Sequence, residues 1–206
     1  MTACWITLEG GDGAGKTTQA ALLEEWLAEA GHTVVRTREP GGTEVGLLLR
    51  EIVLHHRGEV TDRTEALLYA ADRAQHVATV VRPALGRGEI VIQDRYLDSS
   101  VAYQGAGRVL GREEVRNLSL WAAEGLLPDL TVLLDLDPDA ARSRLDADDK
   151  PFDRLESERH DFHRRVRAEF LVLAEAEPER FLVLDASRPV DELAAAVRER
   201  VTVLLP

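Results

Sequence analysis

The stretch Gly10-Gly11-Asp12-Gly13-Ala14-Gly15-Lys16-Thr17 decides how the chain is read. It satisfies G-x-x-x-x-G-K-[ST], the pattern of a loop that wraps nucleotide phosphates. The apolar run Cys4-Trp5-Ile6-Thr7-Leu8 precedes it and reads as a buried strand; a helix-favouring run from Thr18 to Ala30 follows. A strand turning sharply into a helix leaves backbone N–H groups converging on one spot, and the helix dipole adds to their attraction for phosphate. Glycine is needed where a Cβ would hold the chain off the phosphates. Lys16 then reaches the β- and γ-phosphates, and the Thr17 hydroxyl reaches Mg²⁺. Residues Gly10, Gly11, Gly13, Ala14, Gly15, Lys16, Thr17 and Thr18 are therefore the expected cradle of a nucleoside triphosphate.

Outward from this loop the sequence alternates. Four more runs, residues 33–37, 89–93, 130–136 and 181–185, are rich in Val, Ile and Leu without polar alternation, as in strands covered on both faces. Helical patterns separate them. One runs from Arg63 to about Val81 and ends at Pro83. A second follows Gly111 and stops by Pro128. A third carries Leu155, Phe162, Val166, Phe170 and Leu173 as one stripe, and the last runs from Pro189, suited to a first helical turn, to about Val203. The alternation predicts an α/β domain, a doubly wound five-stranded parallel sheet with right-handed crossovers and a ligand beyond the carboxyl ends of its strands. The 206 residues suffice for one such domain, and no repeat or linker interrupts them.

Bulk properties narrow the function. A net charge of -12 argues against a nucleic-acid polymer as partner. A small phosphorylated ligand is still allowed, because a few arginines in a cleft can hold it. The single cysteine, Cys4, falls inside the first strand and reads as core; no intramolecular disulfide can form. No apolar run approaches the ~18 residues of a membrane span. No charged segment with a following apolar stretch marks a secretory signal, so the cytoplasm is the expected location.

The residues after each strand carry the chemistry. Asp12 is either a turn-former or an acceptor for a substrate hydroxyl. Arg38, at the end of the second strand, is either a planar phosphate clamp or a solvated loop residue. Two strand-end carboxylates qualify as a Mg²⁺ partner, Asp94 and Asp135. Asp94 is preferred because Arg95, Tyr96, Ser100, Tyr103 and Gln104 crowd behind it, whereas Asp135 leads into Asp137-Pro138, a helix start. The charged stretch holding Arg142, Arg144, Asp146, Asp148, Asp149, Lys150, Pro151, Asp153 and Arg154 reads as a solvated segment or as a lid that brings arginines onto the nucleotide. His55 and His56 read as a surface helix end, and His32 and His76 as surface or interface residues. His160 and His163 lack the further ligands of a metal site.

These motifs resemble the bacterial thymidylate kinases, within the nucleoside monophosphate kinases. The matching pieces are Leu8-Glu9-Gly10 running into the P-loop, residues 37–43 (Thr-Arg-Glu-Pro-Gly-Gly-Thr), residues 67–76 (Leu-Leu-Tyr-Ala-Ala-Asp-Arg-Ala-Gln-His), and Asp94-Arg95-Tyr96 with Ser99-Ser100 and Ala102-Tyr103-Gln104-Gly105. Asp153-Arg154-Leu155-Glu156 and Asp185-Ala186-Ser187-Arg188-Pro189 also match. The resemblance implies ATP and dTMP as substrates, Mg²⁺, one kinase domain over residues 1–206 with a mobile lid at about 142–156, and a homodimer paired through helices near 45–55 and 65–81. It further implies that Arg38 and Arg95 grip the dTMP phosphate and Asp12 takes the sugar 3′-hydroxyl. Tyr69 stacks on thymine, and Arg73, Ser100 and Gln104 meet the base edge. Tyr103 crowds the sugar 2′ position, Asp94 acts on Mg²⁺ through water, and Ser187 and Arg188 border adenine.

Some relatives carry an arginine at the place of Gly13. By resemblance, this chain takes its catalytic arginine from the lid, Arg154 first and Arg144 second. A deoxynucleoside kinase would share the fold but needs no pair of arginines for an acceptor phosphate. A nucleotide-dependent switch that binds a protein partner is a further alternative, but the N-K-x-D motif of such GTPases is absent, since neither Lys16 nor Lys150 follows Asn. A catalytically dead ATP-binding module would not furnish an acceptor pocket.

Overall fold

A computed structural model describes residues 3–147 and 152–205. Five parallel strands, β1 (Cys4–Glu9), β2 (Val34–Arg38), β3 (Ile90–Asp94), β4 (Leu130–Asp135) and β5 (Phe181–Asp185), stand in the order β2-β3-β1-β4-β5. The α/β, doubly wound expectation holds. Because side chains alternate across a strand, β1 sends Cys4, Ile6 and Leu8 to one face and Trp5 to the other. The first face is covered by α1 (Lys16–Glu29) and α9 (Val190–Thr202) through Leu23, Leu27, Val197 and Val201. The second face packs on α3 (Asp62–His76), α4 (Arg82–Gly86), α6 (Arg112–Ala122) and α8 (His160–Ala176). Two further helices, α2 (Glu44–His55) and α7 (Pro138–Ala147), flank the carboxyl ends of the strands, and the short α5 (Leu97–Ser100) follows β3.

Several boundaries differ from the sequence expectation, each for a local reason. Pro83 does not end the helix that begins near Arg63. Residues Val77–Val81 widen into a π turn, and Pro83 enters the first turn of α4, where its missing N–H breaks no ladder. The helix after Gly111 stops at Ala122, short of Pro128, because Glu124 (φ 52) and Gly125 (φ 71) turn left-handed. Leu155 lies outside α8 but is buried in the same cluster as Phe162 and Phe170, so its stripe is a packing match without being helical. Pro189 is the residue before α9 rather than its first turn. His76 is fully buried, contrary to a surface reading, with Nδ1 2.9 Å from Glu39 Oε1 and Nε2 2.7 Å from Thr37 Oγ1. Residues Asp148, Asp149, Lys150 and Pro151, part of the expected lid, lie outside the described residues.

Candidate active site

Parallel register gathers the chemistry at one edge: Leu8 and Arg38 both lie opposite Asp94. The P-loop leaves β1 through Gly10 (φ +132), where a Cβ would sit 2.4 Å from the Leu134 carbonyl oxygen. Gly13 (φ +75) lies under α7, and a Cβ there would stand 2.9 Å from the Ala141 carbonyl oxygen. A side chain at position 13 therefore needs α7 to move. Lys16 is buried, and its ammonium donates to the Gly10 and Gly11 carbonyls at 3.2 and 2.8 Å. Burial, then Arg95, lowers its pKa.

The Thr17 hydroxyl donates to Asp94 Oδ2 at 3.2 Å. Both groups line a cavity of about 410 Å³ together with Lys16, Thr18, Arg38, Arg95 and Arg144. A hydroxyl and a carboxylate side by side suit Mg²⁺, which takes one or two protein oxygens and completes its shell with phosphate and water. Asp135 is spoken for. Arg167 donates to its two oxygens at 2.7 and 3.0 Å, and Asp137 caps α7 by accepting from the Asp139 N–H.

A second cavity, about 80 Å³, opens from the same edge and is lined by Asp12, Arg50, Tyr69, Arg73, Arg95, Ser100, Tyr103 and Gln104. Arg95 has φ 65, a left-handed backbone that costs a non-glycine residue about 1–3 kcal/mol and recurs at functional sites. The bend aims its guanidinium at the Gly10 carbonyl (3.0 Å), Ser99 Oγ (3.0 Å), Asp12 Oδ1 (2.5 Å) and the Tyr103 hydroxyl (3.2 Å). Tyr103 in turn donates to Asp12 Oδ2 at 3.1 Å. Burial works to raise the Asp12 carboxyl, but Arg95 and Lys16 outweigh it and hold the group at about 2. Asp12 is thus a fixed anion at the junction of the two cavities. Burial, then Glu65, raises the Tyr69 phenol.

Deeper in, Arg73 is fully enclosed. It donates to Ser119 Oγ at 3.0 Å and Ser100 Oγ at 3.1 Å, and its Nε stands 3.0 Å from Glu39 Oε2. Tyr103 and Gln104 sit on a π turn, Val101–Gly107, that winds both into the cavity wall. Arg38 stays exposed at the mouth.

The two arginines expected from a lid separate. Arg154, the first candidate from sequence, does not reach the P-loop. Its Nε donates to the Val53 carbonyl at 2.9 Å and its NH2 to Glu65. Arg144 donates to the Gly13 carbonyl at 3.3 Å and to the Ala186 carbonyl at 2.9 Å, so it lies against the phosphate loop. The physical reason is Glu65, a fully buried carboxylate that draws Arg154 inward. Ser187 and Arg188 follow β5 on the exposed rim, Ser187 bonded to Asp185 and Arg188 to Glu192.

Against this geometry, the family model described as thymidylate kinase matches residues 8–197. The chain belongs to the thymidylate kinase family. It is 71% identical over 205 residues to the thymidylate kinase of Clavibacter michiganensis, covering 100% of this chain and 97% of that one. Identity to the thymidylate kinase of Leifsonia xyli is 72% over 196 residues, 95% of this chain and 93% of the relative. The thymidylate kinase of Deinococcus radiodurans is 57% identical, over 94% of this chain and 93% of its own.

Within this thymidylate kinase fold, several site residues carried no sequence signal. Arg50 lines both cavities and donates to the Pro40 carbonyl at 3.0 Å, yet on α2 it reads as one more helix-surface charge. Glu65 and Glu9 are fully buried, although each reads as a solvated or flanking acid. In sequence Glu9 is one residue of the Leu8-Glu9-Gly10 lead into the P-loop. Its carboxylate accepts from the Tyr96 and Ser99 N–H groups at 2.7 and 3.2 Å and so fixes the turn that carries Arg95.

Proposed function

We propose that this chain transfers the γ-phosphoryl group of ATP to dTMP, giving ADP and dTDP. Membership of the thymidylate kinase family supports the reaction class. The observation that carries the residue-level reading is the meeting of two cavities at Asp12 and Arg95, one lined by the P-loop and the other by an aromatic ring and three base-reading groups. Gly10, Gly11, Gly13, Ala14, Gly15, Lys16, Thr17 and Thr18 hold the ATP phosphates. Thr17 and Asp94 would hold Mg²⁺, which neutralises phosphate charge when bound. Ser187 and Arg188 border the adenine. Arg38 and Arg95, joined by Arg50, grip the dTMP phosphate. Asp12 accepts the sugar 3′-hydroxyl, Tyr103 closes the 2′ side, Tyr69 stacks on the base, and Arg73, Ser100 and Gln104 meet its edge.

The acceptor phosphate oxygen attacks the γ-phosphorus in line, and the bond to the ADP oxygen breaks. The phosphate attacks as an anion, so the protein supplies alignment, positive charge and exclusion of water. Arg144 is the lid arginine of this reading, because it already leans on the P-loop; Arg154 anchors the lid to Glu65. A nucleoside acceptor is disfavoured, since three guanidinium groups surround the place of an acceptor phosphate. The reading includes one kinase domain over residues 1–206 with its lid at about 142–156, and a cytoplasmic enzyme. It also includes a homodimer, supported by the exposed apolar residues Val45, Leu47, Leu48 and Ile52 of α2 and Leu67 of α3. Phosphorus NMR of the chain with ATP, Mg²⁺ and dTMP tests the reaction. ADP and dTDP rising together are expected; ADP and inorganic phosphate alone would overturn it.

A further inference from the structure

Glu65 belongs to α3 and lies entirely out of solvent, an unusual place for a lone acid in a helix. It is not left unpaired. Arg108 donates to its two oxygens at 3.3 and 3.2 Å, and Arg154 donates from the lid. A fourth bond comes from the other side: Gln104 Nε2 donates to Glu65 Oε1 at 2.8 Å. We infer that Glu65 is a specificity-determining positioning residue that sets which end of the Gln104 amide faces the nucleobase.

An amide has two unlike ends, an NH₂ that only donates and an oxygen that only accepts. Either end can point into a binding cavity if nothing holds the other. A carboxylate between two guanidinium groups accepts only, so it can take the NH₂ end of Gln104 and not the oxygen. Gln104 Oε1 is thereby turned away from Glu65, on a side chain that lines the acceptor cavity, and it has no donor among the described residues. The cavity consequently presents one fixed acceptor beside the donors of Arg73. This pair matches a pyrimidine whose N3 carries hydrogen and whose position 4 is a carbonyl. It opposes cytosine, whose N3 is an acceptor and whose position 4 is an amino donor. Discrimination of this kind is large, because a mismatched base leaves buried groups unpaired.

The inference rests on dTMP as acceptor. Its test is the ratio of dissociation constants for dCMP and dTMP, measured by competition on the wild-type chain, E65Q, Q104M and the double variant E65Q/Q104M. In E65Q the residue at 65 can offer either amide end, Gln104 is free to turn, and the ratio is expected to fall by about tenfold or more. In the Q104M background E65Q is expected to change the ratio by less than about twofold, because the two act through one bond. An E65Q chain that weakens both nucleotides equally, or the same change in ratio with and without Gln104, would overturn the inference and leave the dTMP reading standing. A wild-type chain that does not bind dTMP would overturn both. If E65Q does not fold, E65D is read in the same way, since its shorter arm withdraws the acceptor from Gln104.

Discussion

Replacing Glu9 by glutamine is expected to stabilise the protein above neutral pH and to change little near pH 5. Glu9 accepts from two backbone N–H groups and from Ser99 Oγ at 2.5 Å, in a site closed to solvent. Burial first, and Asp98 second, push its carboxyl up from 4.5 to about 7. Between those values the folded chain holds a proton that the unfolded chain has lost, so stability falls as pH rises through this window. The interval corresponds to about 3 kcal/mol, fully lost only above pH ~8. Glutamine has the same shape. Its carbonyl keeps both N–H bonds, and its NH₂ can donate to Ser99 Oγ. The stability gained by E9Q is therefore expected to grow from under ~1 kcal/mol at pH 5 to about 3 kcal/mol at pH 8. Asp72, raised to about 6 by burial and then by Glu39, slopes the same way but is common to both chains and cancels. Urea unfolding at pH 5, 6, 7 and 8 measures the difference. A gap that does not change with pH, or an E9Q chain progressively less stable as pH rises, would show that Glu9 holds no extra proton in the folded chain.

Three further outcomes follow from the geometry. Arg144→Ala is expected to lower kcat by ~100-fold or more with a small effect on the KM for dTMP, while Arg154→Ala acts mainly through KM; steady-state kinetics showing the reverse would return Arg154 to the P-loop. Tyr103→Ala removes the hydroxyl bonded to Asp12 and opens the sugar wall, so kcat/KM for UMP should rise relative to dTMP by about tenfold, and an unaltered ratio would remove its role as a sugar gate. Leu48→Glu, at one of the most exposed apolar positions of α2, should yield monomers in sedimentation at concentrations where the wild-type chain is dimeric; an unchanged sedimentation coefficient would move the interface elsewhere.

The fold was legible because its signals are local and redundant. The five strands are short, largely apolar runs ending at glutamate, arginine or aspartate, and the observed Phe181–Asp185 strand coincides with the run read from sequence. The P-loop is a contiguous pattern, so its residues could be named without coordinates. What stayed hidden depends on burial that sequence does not display. Glu65, Asp72, Arg73 and His76 stand on one helix with the exposed Asp62 and Arg63, and nothing in that string separates the enclosed charges from the solvated ones. His76 reads as a surface or interface residue because its partners, Thr37 and Glu39, are almost forty positions earlier in the chain. By resemblance Arg154 reads as a phosphate arginine of the expected lid, but the carboxylate that holds it comes from α3. Long-range ion pairs of this kind redirect side chains without leaving a periodicity to read.

The proposed acceptor is a deoxyribonucleoside monophosphate bearing thymine. ADP formation from ATP and Mg²⁺, measured as kcat/KM with dTMP, dUMP, UMP, CMP and thymidine in turn, tests it most directly. Highest kcat/KM with dTMP, and no turnover of thymidine, is expected from the guanidinium cluster at the cavity mouth and the fixed donor and acceptor groups at its base. Turnover of thymidine without turnover of dTMP would contradict it.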